Sequence, residues 1–187
     1  WSSWDTVGDQ SPFVDQLSHQ ISQTVPLYND WLSAIHSRFF CDSFLSDFVP
    51  MLLDNIYKCG QISEIGAEQL LLDIAAMKTM ILKMPGLTNS RGGAGKEVPA
   101  RYAKYAAKEM AKTEKILKVI LSSPQAFCIT FVQLLPLAKE SLFLRLLNLK
   151  GIPRSEHPHY LQSYRKEKAE DEKYRKAQKQ QKKQIIL

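Results

Sequence analysis

The chain has 187 residues, of which 44% are hydrophobic and 24% charged, a composition typical of a folded globular protein rather than a disordered or fibrous one. No run of about 18 uncharged apolar residues occurs, so the sequence predicts no membrane-spanning helix. The net charge is +6, but residues 154–187 carry ten basic and five acidic side chains, against 15 and 14 in residues 1–153. The basic excess belongs to the C-terminal segment, so the body gives no support for a nucleic-acid-binding protein.

Residues 1–60 are predicted to form a first helical segment. Ser11 followed by Pro12 is a typical helix start, with a capping residue and then proline at the first helical position. Pro26 predicts a kink or a split near residue 25, and Pro50 predicts a second kink. Apolar residues that recur every three or four positions predict one buried helical side. They are Val14, Leu17, Ile21, Val25, Tyr28, Leu32, Ile35 and Phe39.

Residues 61–153 are predicted to form a second helical bundle. Ser63 begins a helix that Pro85-Gly86 ends, and a glycine-rich loop follows over 86–98. Pro99 begins the next helix. The apolar stripes of the two helices are Leu70, Ile74, Met77, Ile81 and Met84, then Tyr102, Tyr105, Ala106, Met110, Thr113, Ile116, Leu117 and Ile120.

The remaining three segments differ sharply in polarity. Residues 125–135 are apolar on all sides, which predicts a short buried helix, with a buried strand as the alternative. A last core helix covers about 139–150 and closes at Gly151. Residues 154–187 form a charged C-terminal tail, which we expect to be a solvated, fraying helix or disordered.

The side chains that could carry chemistry do not form a recognisable reactive set. Gly92-Gly93-Ala94-Gly95-Lys96 lacks the first glycine and the final Ser or Thr of a phosphate-binding loop. His157 and His159 have no third ligand at metal-binding spacing. Three cysteines, Cys41, Cys59 and Cys128, have no close pair, which predicts free thiols that pack as small apolar residues. The sequence therefore predicts no catalytic residue, no cofactor, no metal site and no enzyme activity.

Two sets of polar residues are candidates for partner contacts. Lys104, Lys108, Lys112, Lys115 and Lys118 lie along one helical side, which is either a solvated face or a contact surface for acidic partners or anionic lipid. The second set is expected to lie away from the centre of the apolar stripe of the 63–84 helix, or at the end of the last core helix. It consists of Glu68, Gln69 and Asp73, with Lys150 and Arg154. Ordinary solvated helix surface is the alternative.

Several segments together resemble the C-terminal region of the vacuolar protein sorting-associated protein fifty-three family. They occur in the family's order, and we expect the chain to be part of a longer protein. The segments are Trp1-Ser2-Ser3-Trp4, Val7-Gly8-Asp9-Gln10-Ser11, Ile65-Gly66-Ala67-Glu68-Gln69-Leu70-Leu71-Leu72-Asp73 with Met77-Lys78, Lys112-Thr113-Glu114-Lys115-Ile116-Leu117-Lys118-Val119, and Leu149-Lys150-Gly151-Ile152 with Arg154-Ser155-Glu156. The glycine-rich loop and the tail depart from the family pattern.

The resemblance implies an all-α fold of stacked antiparallel helical bundles, forming the rod-like C-terminal region of a CATCHR-type tethering subunit. It implies a role in the GARP and EARP complexes, in transport from endosomes to the trans-Golgi network and in endosomal recycling. Implied partners are the other complex subunits, SNARE proteins and Rab-type small GTPases. The implied location is the cytoplasmic face of these membranes, as a peripheral protein. The alternative function is a helical module that binds peptides or anionic lipid and carries a polybasic tail.

Overall fold

The computed structural model describes residues 7–89 and 97–185, and within them the chain forms seven α-helices and no strand. The prediction of an all-α fold is confirmed. A short 3-10 turn, Met84–Gly86, follows the third helix. The helices are α1 Pro12–Trp31, α2 Ala34–Lys58, α3 Glu64–Lys83, α4 Ala100–Leu121, α5 Phe127–Leu134, α6 Glu140–Lys150 and α7 His157–Ile185.

Helices α3 and α4 form an antiparallel pair at the centre of the fold. The Tyr102 hydroxyl donates to the Ile81 carbonyl at 3.0 Å, and an ion pair of 2.8 Å joins Lys78 to Glu114. Helix α1 packs on α3, while α2, α5 and α6 pack on α4. Every residue of the two predicted stripes is buried except Tyr105, which is partly buried. The helical periodicity therefore identified the faces that build the core.

One hydrophobic core joins side chains from Val14 to Tyr164. Val14 and Leu45 from the first predicted segment lie in the same cluster as Ile74 and Leu117 from the second. Each such side chain, when fully buried, contributes about 1.5–3 kcal/mol to stability. The division of the chain into segments 1–60, 61–153 and 154–187 stays a prediction.

The break between α1 and α2 lies at Leu32–Ser33, so of the kink or split predicted near residue 25 the split is wrong. The kinks at Pro26 and Pro50 stay predictions. Helix α1 continues through Pro26 to Trp31, and the Ser33 side chain caps α2 by accepting from the His36 amide. The break changes the register, because α2 restarts with another face toward the core. Phe39, predicted to be on the buried side, is 67% exposed, and Ile35 is 68% exposed.

The apolar segment after α4 forms helix α5, so the predicted helix is confirmed over the alternative strand. Helix α5 packs against the start of α7. The ring centroids of Phe131 and Tyr164 lie 5.6 Å apart, and Tyr164 is buried. The Arg165 guanidinium donates a bidentate pair of hydrogen bonds to the Glu140 carboxylate, at 2.9 and 3.2 Å. The charged segment is helical to Ile185, and its first two turns belong to the core.

Gly151 ends α6 in the left-handed conformation, with a φ of 80°. We expect Gly151→Ala to lower the free energy of unfolding by about 1–2 kcal/mol, because side chains with a Cβ are strained in this region. A Cβ here would also meet the Gln61 side chain at 2.1 Å. Urea unfolding measures the loss. Gly60→Ala is the control, since a Cβ there meets nothing within 4 Å. Equal stability of the two variants would contradict the prediction.

Candidate interaction surface

The structure separates the three residues predicted on α3. Glu68 is exposed, as expected. Gln69 and Asp73 are fully buried, so their predicted place on the surface is wrong. They lie beside the apolar stripe of α3, but the segment that leads into α1 crosses this side of the helix and covers them. A Gln69→Arg exchange would therefore place a charge in the interior rather than probe a surface.

Gln69 and Asp73 bind the segment before α1 through a buried polar cluster, which we define as Ser11, Gln69 and Asp73. The Gly8 amide donates to the Gln69 side-chain oxygen at 3.1 Å, and the Gln69 amide group donates to the Asp9 carbonyl at 2.8 Å. Ser11 donates to Asp73 twice, through its backbone N–H and its hydroxyl, each at 2.7 Å. The cluster holds residues 8–11 against α3.

Ser11 has a role that its sequence position only partly indicated. Helix α1 begins at Pro12, as predicted, but the Ser11 hydroxyl does not cap it. The hydroxyl is used by Asp73, which lies 62 positions away. The available signal was Asp73, a polar residue flanked by the apolar Leu72 and Ile74. The sequence pattern instead predicts a contact surface there, with solvated surface as the alternative.

Lys150 is a structural residue rather than a free surface charge, which corrects its predicted place in the contact surface. Its ammonium donates to the Ile120 carbonyl at 2.8 Å near the end of α4, and the Glu64 carboxylate lies 3.8 Å away. The Lys150 side chain is only 7% exposed. Burial lowers the pKa of its ammonium below 10.5, and Glu64 acts in the opposite direction. Arg154 is exposed in the turn that follows α6.

The burial of Lys150 predicts a pH-dependent contribution to stability. Because the folded protein releases this proton at lower pH than the unfolded chain, the unfolded chain holds more protons between the two pKa values, and stability rises with pH there. Relative to Lys150→Met, the wild-type free energy of unfolding should therefore increase as pH approaches 10.5. Urea unfolding of both proteins over a pH series measures this difference, in which tyrosine titration largely cancels. A flat or falling difference would refute the prediction.

The five lysines along one side of α4 are all exposed, as their spacing predicted. We call this set the lysine row; it consists of Lys104, Lys108, Lys112, Lys115 and Lys118. Arg101 extends it by one turn toward the start of α4. Glu109 pairs with Lys112 within α4, while Glu114 pairs with Lys78 of α3. The opposite side of α4 packs on its neighbours, so the row faces outward.

The described residues hold no arrangement that indicates catalysis. In residues 7–89 and 97–185, no group of three His, Cys, Asp or Glu side chains could hold a metal ion. Burial raises the pKa of the Cys41 and Cys128 thiols to about 11, which leaves them protonated at neutral pH. Residues 92–96, which do not match the phosphate-loop pattern, lie outside the described residues. None of the described helices is both long and apolar enough to cross a bilayer.

Comparison with known proteins identifies relatives along most of the chain. A family model described as "Vacuolar protein sorting-associated protein 53 C-terminus" matches residues 68–152. The chain is 34% identical over 166 residues to vacuolar protein sorting-associated protein 53 A of Arabidopsis thaliana. It is 32% identical over 170 residues to the homolog of Caenorhabditis elegans. No solved structure matches the chain.

These alignments show which part of the family the chain represents. They cover 89% and 88% of this chain, but 19% and 21% of the two relatives, so the chain spans about a fifth of their length. The segment that the family model matches includes most of α3 and all of α4, α5 and α6, so it holds the central helix pair and the Lys150 contact. On these matches, the chain belongs to the vacuolar protein sorting-associated protein 53 family and corresponds to its C-terminal region.

Proposed function

We propose that the chain is the C-terminal region of a vesicle-tethering subunit of the GARP and EARP complexes. In this role it would serve transport from endosomes to the trans-Golgi network and endosomal recycling. The observation that carries the proposal is the similarity along about nine-tenths of the chain to relatives named vacuolar protein sorting-associated protein 53. The region acts by protein contacts and performs no catalysis. It is peripheral on the cytoplasmic face of these membranes.

The fold suits a scaffold that other proteins bind. The seven helices of its described residues share one core, and its polar cluster fixes the segment before α1 instead of forming an open site. A tether gains avidity by linking several weak contacts, which requires stable surfaces rather than one deep pocket. The other complex subunits are the first partners to expect, followed by SNARE proteins and Rab-type GTPases.

Glu68 and Arg154 are the residues from the predicted contact set that remain available for partners. Both side chains are exposed. They follow, along the chain, two residues that are joined by a hydrogen bond, in which the Ile62 amide donates to the Leu149 carbonyl at 2.7 Å. We assign them to a subunit contact. Glu68→Arg and Arg154→Glu should each weaken co-purification of complex subunits without changing stability. Glu170→Lys is the matched control, because Glu170 is exposed on α7.

The experiment that tests the tethering role removes this region from the full-length protein. In cells that depend on that protein, deletion of residues 1–156 should block retrieval of a cycling cargo from endosomes to the Golgi. Co-purification with the isolated region as bait should recover the sister subunits. Normal retrieval after the deletion, with the truncated protein expressed at the usual level, would reject the role.

A further inference from the structure

The connection between α1 and α2 exposes an apolar corner, which we define as Trp31, Ile35 and Phe39. Their exposed fractions are 79%, 68% and 67%. Trp31 is the last residue of α1, and the other two lie in the first two turns of α2. Large apolar side chains that cluster in solvent usually mark an interaction site. The corner is therefore a feature that the packing of the core does not explain.

A basic stripe runs along the exposed side of α4 and consists of Arg101, Lys104, Lys108, Lys112, Lys115 and Lys118. The stripe spans roughly 25 Å at 1.5 Å per residue. Of its six members, Lys112 alone has an ion-pair partner in the described part of the chain, and that partner is Glu109. The stripe therefore presents several uncompensated positive charges in a line.

The corner and the stripe meet at the start of α4. Ile35, Phe39 and Arg101 line one open cleft between α2 and α4, together with Arg38 and Asp42. Asp42 is the carboxylate in this cleft, and Arg38 lies 3.9 Å from it. Two residues of the apolar corner thus border the same cleft as the first residue of the basic stripe.

We propose that the apolar corner and the basic stripe together form a contact face for an anionic membrane surface. The stripe is attracted to acidic lipid headgroups, and the corner enters the boundary between headgroups and acyl chains, where tryptophan is favoured. Five of the six stripe residues are lysines, which are depleted at the centres of protein interfaces. Attraction to a lipid surface needs no fixed side-chain geometry, so the composition favours lipid over an acidic protein.

The proposed face is distinct from a polybasic anchor on α7. Helix α7 packs mainly on α5 rather than on α4. The proposal also stands apart from the tethering role, because lipid binding by the isolated chain needs no complex subunit. If the lipid-binding proposal fails, the tethering role can still be tested separately, and the reverse also holds.

The first experiment compares two variants that lose the same number of charges. The stripe variant carries Lys104→Gln, Lys108→Gln and Lys115→Gln, and the control carries Lys166→Gln, Lys173→Gln and Lys176→Gln on α7. All six side chains are exposed. Co-sedimentation is measured with vesicles of phosphatidylcholine alone or mixed with phosphatidylserine, after circular dichroism has verified equal helix content.

We expect binding of the wild-type chain to require phosphatidylserine and to fall with added salt. The stripe variant should bind at least about tenfold more weakly, while the α7 control should stay within about threefold of wild type. Equal losses in both variants, or a larger loss in the α7 control, would overturn the proposal. Absence of wild-type binding to the phosphatidylserine vesicles would overturn it as well.

The second experiment tests whether the corner enters the bilayer. A chain with Trp1→Phe and Trp4→Phe keeps Trp31 as its single tryptophan. On phosphatidylserine vesicles, Trp31 emission should shift to shorter wavelength and be quenched by brominated acyl chains. Emission that stays unchanged while the protein sediments with the vesicles would show that the corner remains in water, which would overturn its part of the proposal.

Discussion

Replacement of Phe143 by alanine is expected to lower the free energy of unfolding by about 3–5 kcal/mol, which is typical for loss of a buried phenylalanine. The ring of Phe143 is fully buried. It stacks on Tyr164 with centroids 4.4 Å apart, and it meets the edges of Phe131 at 5.1 Å and Phe127 at 5.5 Å. Removing it opens a cavity where α5, α6 and α7 meet, and the surrounding helices relax only partially.

The matched control is Phe39→Ala, the same substitution at a residue that is 67% exposed. It should change stability by less than about 0.5 kcal/mol. Urea unfolding followed by circular dichroism gives both values. Hydrogen exchange adds a local test, because amides around Tyr164 should lose more protection than those of α3 when the Phe143 ring is absent. A loss below 1 kcal/mol for Phe143→Ala would contradict the cavity argument.

Features that depend on local sequence were predictable. Ser63 caps α3 by accepting from the Gly66 amide at 3.0 Å, and Gly151 ends α6 because only glycine is unstrained at its positive φ. Both signals lie within four residues of the helix end that they determine. The apolar stripes of α3 and α4 were equally visible, since periodicity along one helix reports the face that it buries.

Features that depend on distant segments were not predictable. Gln69 and Asp73 are polar residues on a helix, which usually indicates solvent, yet their partners lie about 60 positions away, before α1. Lys150 likewise reaches the Ile120 carbonyl from another helix. The break at Leu32–Ser33 was not predictable, because the apolar spacing continues through it although the helix ends there.

The structure moves the candidate contact surface from α3 to the exposed side of α4. Two of the three α3 residues expected to bind partners instead hold the chain together, and Lys150 does the same between α4 and α6. The lysine row of α4 was correctly placed on the outside. The exposure of Ile35 and Phe39 at the start of α2 was not predictable, because both residues fit the spacing of the buried stripe.

Replacement of Asp73 by alanine is expected to destabilise the fold by about 3 kcal/mol. Ser11 donates two hydrogen bonds of 2.7 Å to this carboxylate, and both groups are buried. Hydrogen bonds to charged groups contribute about 1.5–3 kcal/mol each, and a buried donor without an acceptor adds a desolvation cost. Glu68→Ala is the control, because it removes a carboxylate from the exposed side of the same helix.

A double-mutant cycle separates this mechanism from a general effect of changing α3. Ser11→Ala removes one of the two hydrogen bonds that Ser11 donates to Asp73, so the loss in the Ser11→Ala, Asp73→Ala double variant should be at least about 0.5 kcal/mol smaller than the sum of the single losses. Additive losses would show that the two residues act independently and would refute the cluster. Limited proteolysis adds a readout, since cleavage before Pro12 should accelerate in Asp73→Ala and remain slow in Glu68→Ala. The buried carboxylate would then be established as the group that fixes the segment before α1, and with it the path by which the preceding chain enters this fold.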